Sequence, residues 1–151
     1  MTVSELIAEA ARARKFARAA QSAFAVGAAV ETAGGRMFSG CNVESATYGL
    51  TVCAERVAVW KALSEGESRF LRIAVVADTA ALTPPCGACR QVLWEYCGDL
   101  EVILSNLKGK RAAYRLSELL PFPFDGRLLK PKPRQAPGLR AARSEGTSRR
   151  R

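Results

Sequence analysis

Histidine is absent from this chain of 151 residues. The imidazole side chain is the commonest proton carrier near neutral pH and a frequent zinc ligand. A metal site or a proton-transfer site in this protein must therefore be built from thiolates, carboxylates and water.

Long apolar runs are also missing, and the longest are short segments such as residues 24–30 and 73–77. A membrane-spanning helix needs about 18 or more apolar residues in a row, so we expect no membrane span. The N-terminal region carries Ser4, Glu5 and Glu9, which fits neither a secretory signal nor an acid-poor transit peptide. We therefore expect a soluble cytoplasmic protein.

Acidic residues are scarce at only one end of the chain. Of the 23 basic and 14 acidic residues, eight basic and one acidic residue lie from Lys130 onward, which leaves 15 and 13 in residues 1–129. Most of the formal net charge of +9 therefore belongs to a segment rich in Pro, Gly, Ser and Arg. This composition predicts disorder and at most non-specific contact with nucleic acid. We expect one folded domain over residues 1–129 and a basic tail over 130–151.

The pattern of apolar residues predicts helices and strands in a layered order. Thr2 and Glu5 form a capping-box pattern, and the alanine-rich run after them predicts a helix to about Ala20. Strands are predicted over residues 24–30, 37–44, 72–77, 100–104 and 112–116, and helices over 51–64, from about 86, and over 117–120. We therefore predict an α/β fold, a three-layer α/β/α sandwich around a five-stranded mixed sheet.

The number of cysteines is odd, and the sequence shows no secretory signal. The five are Cys41, Cys53, Cys86, Cys89 and Cys97. An odd set of thiols in such a chain argues against a disulfide framework and for cysteines that bind metal or take part in chemistry.

A three-cysteine cluster is predicted where two helices begin. Cys86 and Cys89 form C-G-A-C, three residues apart and on one side of the first turn of a predicted helix. Alone, such a pair could be a redox dithiol or half of a structural zinc site. Cys53 also stands at a predicted helix start, where the helix dipole favours a thiolate. Three thiolates on one zinc ion leave a fourth position open, as in catalytic sites, whereas a structural site would recruit Cys41 or Cys97.

A buried carboxylate is predicted beside this cluster. The apolar positions of residues 52–60 run nearly all the way round a helix, which is typical of a buried helix, yet Glu55 lies in its first turn. Burial of an unpaired carboxylate costs several kcal/mol, so this group needs a partner or a task. Next to an open coordination position, we expect Glu55 to carry protons rather than to bind the metal.

These residues match a pattern of zinc deaminases, in which a ligand is followed by x-E and later by P-C-x-x-C. With Cys53-Ala-Glu55 and Pro85-Cys86-Gly-Ala-Cys89, the chain resembles the cytidine deaminase superfamily and, over residues 5–125, its small homotetrameric members. The resemblance implies zinc-dependent hydrolytic deamination of cytidine and deoxycytidine to uridine and deoxyuridine in pyrimidine salvage. Zinc hydroxide would attack C4 of the pyrimidine, with Glu55 as the proton shuttle.

Candidate nucleoside-binding residues lie mainly in the predicted hairpin. Asn42 and Glu44 fall on one face of a predicted strand, where they could bind sugar hydroxyls or simply be polar residues at a strand end. In the family that the chain resembles, N-V-E at this place binds the ribose. The resemblance also implies substrate-binding roles for Phe24 and Ala54.

Two further roles are implied by the resemblance. Phe124 resembles a phenylalanine that stacks on the pyrimidine in a neighbouring subunit's site, with Phe122 as the competing choice. A homotetramer with sites at its subunit interfaces is therefore expected. Arg56 would offset the negative charge of the thiolates, unless it forms an ion pair with Glu65 or Glu95.

One stretch departs from the family pattern. Many members carry Pro-Tyr-Ser before the phenylalanine, where this chain has Ala20-Gln21-Ser22. The change leaves open a deaminase of another cytosine-like compound, such as a modified nucleoside or blasticidin S, although blasticidin S deaminases usually lack the glutamate found here as Glu44. A non-enzymatic protein, a zinc-stabilised RNA-binding module, is also left open.

Overall fold

The computed structural model describes residues 1–129, so the basic tail and its predicted disorder lie outside the described residues. Four helices are present in this part of the chain: α1 (Val3–Arg14), α2 (Ala54–Ser64), α3 (Gly87–Cys97) and α4 (Leu116–Leu119). The strands are β1 (Val26–Thr32), β2 (Met37–Cys41), β3 (Phe70–Ala77), β4 (Glu101–Asn106) and β5 (Arg111–Arg115). Short 3₁₀ turns occupy Tyr48–Leu50 and Gly126–Leu128. None of the helices within residues 1–129 combines the length and apolarity needed to cross a bilayer.

All five strands form one mixed sheet, as predicted. Their order across the sheet is β2-β1-β3-β4-β5. Strands β3 and β4 are parallel, and the other neighbouring pairs are antiparallel. The parallel pair is connected through α3, the crossover that parallel neighbours need.

Helices cover both faces of the sheet, which confirms the three-layer sandwich. On one face α1 packs through Leu6 and Ala10 against β1, β3 and β4. On the other face α2 and α3 pack through Ala58, Val59 and Leu93 against the opposite sides of the same strands. Because the central strands are buried on both faces, their sequences are almost continuously apolar rather than alternating.

The first helix begins as predicted and ends earlier. The capping box between Thr2 and Glu5 is present, but α1 stops at Arg14 rather than near Ala20. The chain then turns into an extended segment, in which Arg18 pairs with residues that follow β2. Pairing with the sheet therefore overrides the local helix propensity of the alanine-rich run.

The first hairpin is shorter than predicted at its open end. β1 begins at Val26 rather than at Phe24, and β2 ends at Cys41 rather than at Glu44. Beyond Cys41, the side chain of Asn42 takes over the role of a ladder partner, accepting from the Val26 amide at 2.8 Å and donating to the Phe24 carbonyl at 2.8 Å. The backbone of residues 42–44 pairs with Arg18 and Val52 instead of continuing the pairing with β1, which ends the strand earlier than sequence periodicity predicts.

Helix α2 is buried on one side only. Ala54, Glu55 and Ala58 are buried, whereas Trp60 is 43 % exposed and Lys61 is also exposed. The prediction of burial all round the helix is therefore wrong for the single chain, because the apolar residues on the outer side find no cover within residues 1–129.

A glycine sets the distance between α2 and the edge of the sheet. A Cβ atom at Gly40 of β2 would lie 2.7 Å from the amide nitrogen of Ala58 and 2.7 Å from the Cβ of Val57. The helix backbone can approach the strand this closely only because the side chain is absent. Gly40 therefore helps to place the first turn of α2.

We predict that Gly40→Ala lowers the free energy of unfolding by about 1–3 kcal/mol, because the added methyl group overlaps helix backbone that cannot move freely. Urea denaturation measures the change. Gly34→Ala is the matched control, since its Cβ would meet only the Thr32 hydroxyl oxygen at 3.7 Å. Equal stability of the Gly40→Ala protein and the wild type would contradict the close approach of helix and strand.

Candidate active site

The starts of two helices bring three thiols together. Cys53 is the N-cap residue of α2, Cys86 is the N-cap residue of α3, and Cys89 lies in the first turn of α3. Their sulfur atoms all lie within 4.8 Å of one another, with 3.9 Å between Cys53 and Cys86. The cluster predicted from the sequence spacing is present.

The cluster has the dimensions of a zinc site. Zinc–thiolate bonds of about 2.3 Å in a tetrahedral arrangement place ligand sulfurs roughly 3.8 Å apart, close to the separation found here. Within residues 1–129, the three-thiol group includes neither Cys41 nor Cys97. Cys97 packs instead against the core, where burial raises the pKa of its thiol to about 12. Three thiols without a fourth fit an open zinc site better than a closed structural one.

Cys53 and Cys89 influence each other's protonation. Hydrogen bonding with Cys89 is the main cause that lowers the pKa of the Cys53 thiol to about 5, and the nearby Arg56 guanidinium contributes to the same shift. The same contact, together with burial, raises the pKa of Cys89. A cation bound between the sulfurs would favour the release of their protons.

Arg56 faces the cluster from the first turn of α2. Its Nη2 donates to the Cys53 sulfur at 3.6 Å and to the Thr51 carbonyl oxygen at 3.3 Å. The guanidinium carbon lies 5.7 Å from the centre of the Trp60 ring. Its buried Nε has no hydrogen-bond partner among the described residues.

The two carboxylates considered as ion-pair partners of Arg56 are engaged elsewhere. Glu65 pairs with Arg36 at 2.5 Å, and Glu95 accepts from the Gln91 amide at 2.7 Å. The contact with Cys53 therefore supports the interpretation of Arg56 as positive charge beside the thiolates.

Glu55 is buried next to the thiols, as predicted. Its side chain lies in the first turn of α2, and the residue is only 4 % exposed. Burial is the main cause that raises the pKa of its carboxyl group to about 7. A carboxyl group in this environment holds a proton more readily than one at the surface does.

A cavity of about 400 Å³ connects the thiols with the predicted nucleoside-binding residues. This volume lies within the range of small-molecule sites. Seven predicted site residues line it: Phe24, Asn42, Glu44, Cys53, Ala54, Glu55 and Cys86. Sequence reasoning assigned no site role to Val26, Val75 or Thr83, which also line it. The two valines look like any core residues of a strand, and no motif in the sequence marks them.

Asn42 and Glu44 reach the same cavity, and both also make hydrogen bonds within the protein. The two ends of the Asn42 amide bind the backbone on either side of Ala25. Glu44 accepts from the amides of Gln21 at 2.8 Å and Ser22 at 3.1 Å, and also from the Ser22 hydroxyl. The Ser22 hydroxyl is the main cause that lowers the pKa of the Glu44 carboxyl group, which keeps it an acceptor.

Phe124 does not lie in this cavity. It is 52 % exposed and lines a separate cavity of about 590 Å³ beside α3 with Trp94. Gln91 of α3 donates to its backbone carbonyl at 2.8 Å. Phe122 is 96 % exposed. The expected insertion of one of these rings into a neighbouring subunit stays a prediction.

We predict that the isolated protein binds one zinc ion per chain and that replacing a ligand thiol removes it. Cys53→Ser, Cys86→Ser and Cys89→Ser should each contain less than about a tenth of the wild-type zinc, because a neutral hydroxyl is a poor substitute for a thiolate. Atomic absorption of the purified variants measures the content. Cys41→Ser is the control and should keep its zinc. Full zinc in all three ligand variants would show that the metal lies elsewhere.

Comparison with known proteins agrees with this geometry. Residues 1–105 match the family model described as the cytidine and deoxycytidylate deaminase zinc-binding region. A cytidine deaminase of Sporosarcina psychrophila is 47% identical over 125 residues, covering 82% of this chain and 92% of that protein. A cytidine deaminase of Halalkalibacterium halodurans is 52% identical over 120 residues, covering 79% of this chain and 91% of that protein.

The fold matches as well as the sequence. A crystal structure of cytidine deaminase from Burkholderia pseudomallei superposes with a TM-score of 0.80 at 47% identity, covering 82% of this chain and all of the other. With its three-thiol cluster, its buried glutamate and these matches over most of its length, the chain belongs to the cytidine and deoxycytidylate deaminase family.

Proposed function

We propose that this protein is a zinc-dependent cytidine deaminase that converts cytidine and deoxycytidine, with water, to uridine or deoxyuridine and ammonia. The observation that carries the proposal is the single cavity that joins a zinc-sized thiol cluster, a buried carboxyl group and a polar pair suited to sugar hydroxyls. Curated relatives that are 47% and 52% identical are cytidine deaminases, which supports the substrate class.

The proton-carrying role belongs to Glu55. Cys53, Cys86 and Cys89 would hold the zinc ion, which would lower the pKa of a bound water molecule toward neutrality. The Glu55 carboxylate would take one proton from the water and deliver it to N3 of the pyrimidine. It would then take the second proton from the hydroxyl group now bonded to C4 and give it to the amino group, which leaves as ammonia when its bond to C4 breaks. Its burial beside Cys53 and Cys86 excludes bulk water from these transfers.

The positive ends of two helices and Arg56 offset the charge of the thiolates. Three thiolates around a divalent cation leave one net negative charge, which makes the metal a weaker Lewis acid. The N-termini of α2 and α3 point at this charge, because Cys53 and Cys86 are their N-cap residues. Arg56 adds a full positive charge through its contact with Cys53.

The polar end of the cavity favours a nucleoside over a free base. Asn42 can donate and accept, Glu44 accepts, and both line the cavity together with Phe24. We assign Asn42 and Glu44 to the sugar hydroxyls, Phe24 to packing against the nucleoside, and Ala54 to the wall beside the base. Blasticidin S deaminases usually lack the glutamate found here as Glu44, so blasticidin S is the weaker candidate substrate.

Assembly into a homotetramer is part of the proposal. An apolar groove on the outer side of α2 is lined by Val43, Val52, Val57 and Trp60. Exposed apolar surface of this kind is typical of a subunit interface. Phe124 of one subunit would then stack on the pyrimidine in another subunit's cavity. In the cell, we place the reaction in cytoplasmic pyrimidine salvage.

We predict that Glu55→Gln lowers kcat for cytidine by about 10²–10⁴-fold while zinc stays bound, because the amide cannot accept and return a proton. The rate is measured from the absorbance change that accompanies the conversion of cytidine to uridine. Deoxycytidine and blasticidin S are tested in parallel. Glu65→Gln, at the C-terminal end of the same helix, should keep wild-type activity.

Three results would contradict the proposal. Wild-type protein with bound zinc that leaves both nucleosides unchanged would refute cytidine deamination, and turnover of blasticidin S alone would reassign the substrate. RNA binding that weakens steeply with salt, with Glu55→Gln behaving as wild type, would favour the RNA-binding module.

We further predict that Phe124→Ala raises the KM for cytidine about tenfold or more, whereas Phe122→Ala changes it little, because stacking of a base on an aromatic ring contributes roughly 1–3 kcal/mol. Sedimentation should give four times the chain mass of 16.3 kDa.

Mixed assembly of Phe124→Ala and Glu55→Gln chains should recover wild-type KM, because some sites then combine an intact glutamate with an intact phenylalanine. No recovery after subunit exchange would place Phe124 in its own chain's site or outside any site.

A further inference from the structure

Ser22 connects two of the residues assigned to the substrate. Its hydroxyl donates to the Glu44 carboxylate and accepts from the Phe24 amide at 3.0 Å. Its own backbone amide donates to the same carboxylate at 3.1 Å. Ser22 also lines the cavity of about 400 Å³. Ser22 therefore hydrogen-bonds to both the Phe24 backbone and the Glu44 side chain, and it fixes their positions relative to each other.

The hydrogen bonds of Glu44 leave one acceptor position available. Oε2 accepts from two backbone amides, those of Gln21 and Ser22, and Oε1 accepts from the Ser22 hydroxyl. A carboxylate has about four lone-pair positions, two on each oxygen. Among the described residues, the contacts of Glu44 thus occupy both positions on Oε2 and one on Oε1. The remaining position on Oε1 can accept from a ligand hydroxyl.

We propose that Ser22 is a positioning residue that fixes the orientation of Glu44, so that the free lone pair of Oε1 meets a sugar hydroxyl of the nucleoside. The inference rests on the proposed function, because it assigns the direction in which Glu44 binds that substrate. Without the Ser22 hydroxyl, Oε1 loses the one donor that it has within residues 1–129, and the carboxylate can rotate about its amide contacts on Oε2.

The backbone next to Ser22 shows how this arrangement is held. Ala23 has a φ angle of +56°, a left-handed conformation that is uncommon for a residue with a side chain. In this conformation the Phe24 amide turns back onto the Ser22 hydroxyl. Contacts on both sides of Ala23 therefore compensate a local strain, as is usual when such strain persists.

The arrangement also explains how the chain tolerates its departure from the family pattern. Gln21 supports Glu44 through its backbone amide, which any residue but proline supplies. The serine that ends the motif is retained, and it is the side chain that reaches the carboxylate. The replaced side chains at positions 20 and 21 do not take part in this contact.

A double-mutant cycle tests the proposal, with kcat and KM for cytidine measured in the zinc-loaded protein. Ser22→Ala should raise KM about tenfold or more and change kcat less than about threefold, because a hydrogen bond to a charged group is lost and the chemistry is untouched. Ser22→Thr keeps the hydroxyl and should stay within about threefold of wild type. Ser68→Ala is the control for loss of a hydroxyl, because Ser68 lies just before the start of β3 at Phe70.

The cycle is completed with Glu44→Ala. If Ser22 acts through Glu44, adding Ser22→Ala to Glu44→Ala should change kcat/KM less than about twofold. Wild-type KM in Ser22→Ala, a fall in kcat at unchanged KM, or an equal loss in both backgrounds would each overturn the positioning role. Wild-type protein that fails to deaminate cytidine would instead refute the proposed function, and the inference with it.

Discussion

The approach of three sulfur atoms to one point is the constraint on which the rest of the structure depends. Thiolates at this separation repel one another, so they persist together only where positive charge is fixed around them. Two helix N-termini and one guanidinium provide that charge, and each comes from an element whose position the sheet determines. A cation bound between the sulfurs would neutralise the negative charge that the helix N-termini and Arg56 leave uncompensated.

The sheet in turn controls how the two helices meet. Helix α3 is the crossover between the parallel strands β3 and β4, which places its start at the carboxyl end of β3. Helix α2 approaches β2 across Gly40, where only a hydrogen atom separates strand and helix backbone. This close packing of α2 against β2 places Glu55 beside the three thiols. Its burial beside the thiols is thus a consequence of backbone packing rather than of its own chemistry.

The sequence was sufficient to predict the layers, the five strands and the three-thiol cluster, because hydrophobic periodicity and short cysteine spacings are local signals. The sequence did not predict features that depend on contacts between residues far apart along the chain. The first helix ends early because Arg18 pairs with the chain beyond β2. The hairpin is shortened because the backbone of residues 42–44 pairs with Arg18 and Val52 rather than with β1. The direction of Arg56 toward Cys53 rather than toward Glu65 or Glu95 depends on how α2 is rotated on the sheet.

The distance along the chain between Cys53 and Cys86 has a consequence for folding. The two residues follow different strands, β2 and β3, which are separated in the sheet by β1. Their thiols meet only after these three strands have paired, so the metal-binding geometry does not exist in a partly folded chain. The complete three-thiol site is therefore a property of the folded sheet, and a metal ion that binds there stabilises the folded chain relative to the unfolded one.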